Sequence, residues 1–168
     1  MPLTKVSLNQ FDIQSLKGKK RYNSRFRIWI SFISILVFAI IYLSVGFDAS
    51  NNVFKFFAIV TIVAHLFLFI SSTVDNGFSH DLKEKQKYAG ILKAIKKEHW
   101  IDDENGWERF KVDFGEWKIG VKSFQKAYWE KINEGDEFYI EQAVNSGFVF
   151  KLEKDNVDFK MGLQIEIK

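Results

Sequence analysis

Two long stretches without a charged residue mark the first half of the chain, residues 28–47 and 56–74, while short runs of alternating apolar and polar residues fill the second half. A bilayer core near 30 Å thick needs roughly twenty apolar helical residues, so each uncharged stretch predicts a transmembrane helix. The short connection between them predicts an antiparallel hairpin. The first stretch is too long, and starts too late, for a cleaved signal peptide, and is expected to be retained.

Beyond a polar connector at 75–88, residues 89–96 fit either a strand or a helix extension. Phe110, Val112 and Phe114 alternate with charged residues, Gly115 and Glu116 intervene, and Trp117, Ile119 and Val121 alternate again. That pattern predicts a hairpin with a type II′ turn, pairing Phe114 with Trp117. Tyr128, Trp129 and Ile132 lie at helical spacing and predict a short helical turn within 124–133. Alternation returns at 137–142, at Phe148, Phe150 and Leu152, and from Val157 to Ile167, with turns at Gly135–Asp136 and 154–156. Five or six such strands describe a small antiparallel β domain over 89–168, an SH3-like or OB-like barrel.

Charge sets an orientation for this layout. Residues 1–27 carry seven Lys or Arg against one acid. Lys17, Lys19, Lys20, Arg21, Arg25 and Arg27 crowd before the first stretch, and Lys83, Lys85 and Lys87 follow the second. Loops rich in Lys and Arg stay cytoplasmic, so both termini are expected in the cytosol and the chain in the inner (cytoplasmic) membrane. The arm at 1–27 fits two readings, an amphipathic segment at anionic headgroups or a topology signal alone. From Ala89 onward thirteen basic residues face sixteen acids, so the sequence pI near 8.9 does not point to nucleic acid as a partner.

In the second uncharged stretch Ala58, Thr61, His65 and Ser72 share one helical face, a small polar stripe that lets helices approach. The hairpin would bring Ser31 and Ser34 near Ser71 and Ser72. His65 is the one ionisable group deep in either stretch. With no carboxylate at depth to form a proton relay, it is expected to be neutral and hydrogen-bonded across the hairpin, to Tyr42.

Candidate chemistry adds little. The chain has no cysteine, which excludes disulfides, thiolate nucleophiles and thiolate metal sites. No phosphate loop, nucleophile elbow or paired metal-ligand histidines occur, and Asp102, Asp103 and Glu104 lack the alternating oxygen ligands of an EF-hand. The expectation is a non-enzymatic protein without cofactor or metal. Trp100 and Trp107 flank the acidic loop 102–106 and are the tryptophans expected to stay exposed, hence candidate partner contacts. The expected partners are the lipid bilayer and a protein, or a second copy through the hairpin, with a small-molecule ligand left open.

In layout, two spans followed by a β-rich cytosolic domain, the chain resembles membrane-anchored immunity proteins of bacterial toxin pairs. It also resembles small membrane effectors of nucleotide-signalled antiphage defence. The first resemblance implies a two-pass protein presenting its barrel as a binding or regulatory module. The second implies a barrel that senses a nucleotide messenger and drives oligomerisation or disruption of the membrane.

Overall fold

The computed structural model describes residues 3–45, 56, 58–65, 67, 77–103 and 106–164. The chain divides into two compact units, Met1–Ser15 with Gly77–Lys168, and Leu16–Asn76.

The first unit is built on two antiparallel sheets. Its elements are β1 (Thr4–Ser7), the first residues of α1 (Gln10–Val45), α2 (Phe78–Glu84), β2 (Gln86–Lys93), β3 (Lys96–Ile101), β4 (Glu108–Asp113), β5 (Lys122–Ser123), α3 (Lys126–Trp129), β6 (Glu137–Ala143), β7 (Val149–Lys154), β8 (Val157–Asp158) and a 3₁₀ turn at Lys160–Gly162. One sheet has the order β1-β2-β6-β7-β8, and the other β3-β4-β5. Both are open, so the SH3-like or OB-like barrel expected from the strand pattern is not formed. The chain passes between sheets at the fully buried Ala94: its neighbours hydrogen-bond first to the β6 side (Ala94 N–H to Asp136 O, 2.9 Å) and then to β4 (Ile95 N–H to Asp113 O, 2.8 Å).

Period-two alternation directs Phe138 and Ile140 of β6, Leu152 of β7 and Val112 of β4 into one core, where all four are fully buried. Phe138 packs edge-on against Phe114 and Phe159, with centroids 5.5 and 5.2 Å apart. The turn between β7 and β8 places Asp155 and Asn156 at positive φ (51° and 61°), the geometry of a two-residue hairpin loop that matches strand twist.

Two expectations from the alternation pattern change, and one open alternative is decided. β4 pairs with β3 and β5, and no strand runs over 117–121. Instead residues 115–120 coil, with the Ile119 and Gly120 amides donating to Glu116 O at 2.9 and 3.0 Å. Ile119 turns inward (3% exposed) while Trp117 is 83% exposed. Residues 89–93 belong to a strand, β2. Only 157–158 of the predicted 157–167 strand is extended before the 3₁₀ turn, and 165–168 lie outside the described residues.

Buried charges knit the N-terminal residues to the sheet. Asn9 and Asp12 cap α1 reciprocally: Asp12 N–H donates to Asn9 Oδ1 (2.8 Å) and Asn9 N–H to Asp12 Oδ2 (3.0 Å). The same Asp12 oxygen accepts from Lys87 Nζ at 2.7 Å, and the ammonium also bonds Glu141, which accepts from the Tyr139 hydroxyl at 2.7 Å. A second carboxylate, Asp81 of α2, is fully buried and accepts from the Asn145 N–H (2.8 Å), the Asn145 side chain (3.1 Å) and the Ser146 N–H (2.8 Å), clamping the β6–β7 turn. Gly77 precedes α2 at φ 82°, where a Cβ would lie 2.6 Å from the Asn145 carbonyl carbon.

In the second unit the uncharged stretch 28–45 is not a separate helix: it continues α1, whose earlier turns carry Lys17, Lys19, Lys20, Arg21, Arg25 and Arg27. Ile28, Trp29, Phe32, Ile33, Ile35 and Leu36 along it are each more than half exposed. Of the second stretch, the described residues 56, 58–65 and 67 are helical. Among the described residues no helix is long and apolar enough to cross a membrane. The expected two-pass hairpin, its in-out-in topology and the inner-membrane location are therefore not supported. Neither is the reading as a two-pass protein presenting a barrel, nor the alternative of a nucleotide-sensing membrane effector.

Candidate interaction surface

The β3–β4 hairpin carries the residues singled out for partner contact. Its register sets Trp100 opposite Arg109, Glu98 opposite Lys111 and His99 opposite Phe110. Cross-strand partners share a face. Because Phe110 and Val112 are buried, the alternate positions Arg109 and Lys111 point outward, and Trp100 and Glu98 point outward with them. Trp107, two residues before Arg109, is 65% exposed and Trp100 is 40% exposed.

Cations lie against these rings. Lys111 Nζ is 5.0 Å from the Trp100 ring centre and the Arg109 guanidinium 5.8 Å from that of Trp107, within the range of cation–π attraction. Arg109 also reaches Asp102 at 3.4 Å, tying the outer face to the loop at the hairpin's end. That loop is closed by Asp102 N–H to Trp107 O (2.9 Å) and Gly106 N–H to Asp102 O (2.7 Å). The acidic cluster of the sequence thus supplies, at Asp102, a bracing contact.

The inner face fixes the hairpin in place. His99 stacks flat on Phe110 (4.6 Å, 7°), and Trp129 of α3 packs beside both and donates from Nε1 to Lys111 O at 3.0 Å. Lys97 Nζ lies 3.8 Å from the Trp129 ring centre and donates to Ile132 O. The Glu108 carboxylate lies 3.3 Å from His99 Nε2 and 3.6 Å from Lys126 Nζ. On β5, Lys122 stands opposite the fully buried Val112, and burial pulls its ammonium down to about 8. Between the hairpin and α3 lies an open groove of about 890 Å³, lined by Trp107, Glu108, Arg109, Gln125 and Lys126 among others.

The remaining sequence candidates lie elsewhere. His65 bonds through Nδ1 to Thr61 O (2.7 Å) and through Nε2 to Ser34 Oγ (3.1 Å) and toward Ser31 O (3.3 Å). Nδ1 faces a carbonyl, and so can only donate there, while Nε2 faces both a hydroxyl and a carbonyl. The side chain of Tyr42, its expected partner, lies outside the described residues, as do Ser71 and Ser72. Lys17, Lys20, Arg21 and Arg25 are exposed and Lys19 is half-buried, while the Arg27 side chain is outside the described set. Sequence reasoning missed Arg109 and Lys111. Their signal was legible, because both share the parity of Trp107 and oppose that of the apolar Phe110 and Val112. No family model, curated protein or solved structure matches this chain.

Proposed function

We propose that the chain acts without catalysis, binding a protein partner through the outer face of the three-stranded sheet around Trp100, Trp107 and Arg109. One observation carries this reading: two exposed tryptophans stand at a hairpin that Phe110 and Val112 of its opposite face anchor in the core, each ring braced by a cation. Interface hot spots are enriched in Trp and Arg, because such side chains offer large contact area at low ordering cost. Here part of that ordering is already done by the Lys111 and Arg109 contacts. The neighbouring polar groups are engaged in holding the hairpin, Glu108 between His99 and Lys126 and Asp102 with Arg109, which favours recognition over chemistry.

The test is to crosslink the chain to its neighbours in the native cell, purify the partner so identified, and titrate it against wild-type protein and the Trp100→Ala and Trp107→Ala variants. The expected result is a loss of about thirtyfold or more for each variant, about 2 kcal/mol, with the melting temperature of the free chain nearly unchanged. Unchanged affinity in both variants would remove this surface from consideration.

A further inference from the structure

The proposed surface ends at a strand edge, and the edge is open where the tryptophan stands. β3 is the outer strand of its sheet. In an antiparallel pair, successive residues direct their backbone N–H and C=O alternately toward and away from the partner strand. The parity here is set by Asp102 N–H donating to Trp107 O (2.9 Å) on one side of β4, and by Phe124 N–H donating to Phe110 O (2.8 Å) on the other. Lys96, Glu98 and Trp100 therefore bond toward β4, and Lys97, His99 and Ile101 present their backbone groups to the free edge.

The two ends of that edge differ. At Lys97 the outward N–H is capped by Glu134 Oε1 at 2.9 Å, and Lys97 Nζ reaches back to Ile132 O, so the α3–β6 loop covers this end. Two lysines and an irregular pairing at Ile95 and Asp113 add the usual safeguards against strand addition. At His99 and Ile101 there is no such guard: no side chain among the described residues caps either outward N–H, and Ile101 is 58% exposed beside Trp100. The Glu134 carboxylate occupies the place that an added strand's carbonyl would take, which defines where such a strand begins.

We infer that the open half of β3 takes up an extended segment of a partner protein as an added strand, hydrogen-bonded to the backbone of His99 and Ile101 and seated beside Trp100. This rests on the surface proposed above and states how the partner meets it. Main-chain bonds supply general affinity and alternate side chains supply selectivity. The segment is extended, has no proline where its N–H must face β3, and places an aromatic or aliphatic residue opposite Trp100.

The experiment selects a displayed library of random linear twelve-residue peptides on the full chain and synthesises the peptides recovered. Each is then N-methylated at one position at a time, and affinities are measured by calorimetry. Strand addition predicts an alternating scan, with methylation costing about tenfold at every second residue and little between, and slowed hydrogen exchange at the His99 and Ile101 amides. Ile101→Pro, which deletes one outward N–H at an edge position that tolerates proline, should weaken binding about tenfold. If that variant unfolds, the methylation scan on wild-type protein still decides. A scan without alternation, or a library that yields no binder, overturns strand addition. Should Trp100→Ala still abolish partner binding in that case, the surface reading stands alone. An alternating scan with peptides indifferent to Trp100→Ala and Trp107→Ala would sink the surface reading instead. Reversible dimers of the chain that Ile101→Pro abolishes would identify the occupant as a second copy and overturn the assignment to a partner protein.

Discussion

The five-stranded sheet buries one cluster of charges, whereas on the outer face of the three-stranded sheet two cations lie against exposed rings. Lys87, 5% exposed, is held between Asp12 and Glu141, and Asp81 is sealed beneath the β6–β7 turn. Arg109 and Lys111, by contrast, lie over Trp107 and Trp100 at the surface. A buried ion pair gains little over an apolar substitute but becomes costly once half of it is removed. A braced aromatic at the surface contributes little to folding and much to association. The difference separates residues that hold the fold from residues that face solvent.

The sharpest test of that separation is Lys87→Met, which strands two carboxylates in the interior. It should cost about 3–5 kcal/mol by denaturant unfolding. A loss under 1 kcal/mol would mean the cluster is not a structural anchor. Next in size, Asp81→Ala leaves the Asn145 and Ser146 donors without their acceptor and should cost about 3 kcal/mol. Faster hydrogen exchange should then be confined first to residues 143–148.

Alkaline titration should split the two sheets by sign. Desolvation opposes the charge on Lys87, but the bonds and charges of Asp12 and Glu141 outweigh it and hold the ammonium above its usual range. The Tyr139 hydroxyl, donating to Glu141, is pushed up to about 12. Both groups keep their protons more tightly when folded. Their contribution is complete below about pH 10 and is lost as pH rises through the folded values. Lys122 does the reverse. The unfolded chain binds its proton more tightly between about 8 and 10.5, so stability from this group rises across that interval. Lys122→Met should raise the melting temperature by a few degrees at pH 7 and remove the rise, whereas Tyr139→Phe should blunt the loss above pH 10. A wild-type profile flat from pH 8 to 12 would contradict both assignments. Smallest of all, Trp100→Ala and Trp107→Ala should shift unfolding by less than about 1 kcal/mol, since their rings stand outside the core.

Local pattern was legible where neighbours in sequence decide the outcome. The β6 and β7 strands, the turn at 154–156 and the helical turn at 126–129 follow from alternation, turn chemistry and spacing. Where distant residues decide, it misled. Trp117, Ile119 and Val121 alternate as a strand would, yet Gly115 at φ 67° packs against Ile95, and the chain coils so that Ile119 enters the core and Trp117 leaves it. The uncharged stretch 28–45 does not stand as an independent helix. α1 begins instead at Gln10 and runs through the basic residues before reaching that stretch.

By itself the sequence determined which residues alternate, where chain reversals fall, and that Trp100 and Trp107 bracket an exposed loop. Those are local preferences, set by period, φ range and side-chain shape. Only the tertiary structure decided which strands meet, that β1 would edge the large sheet, that β3 would edge the small one, and that Asp12 would bond Lys87 from 75 residues away. Such pairings depend on closing long loops and on burying charge against charge. No period along the chain records either.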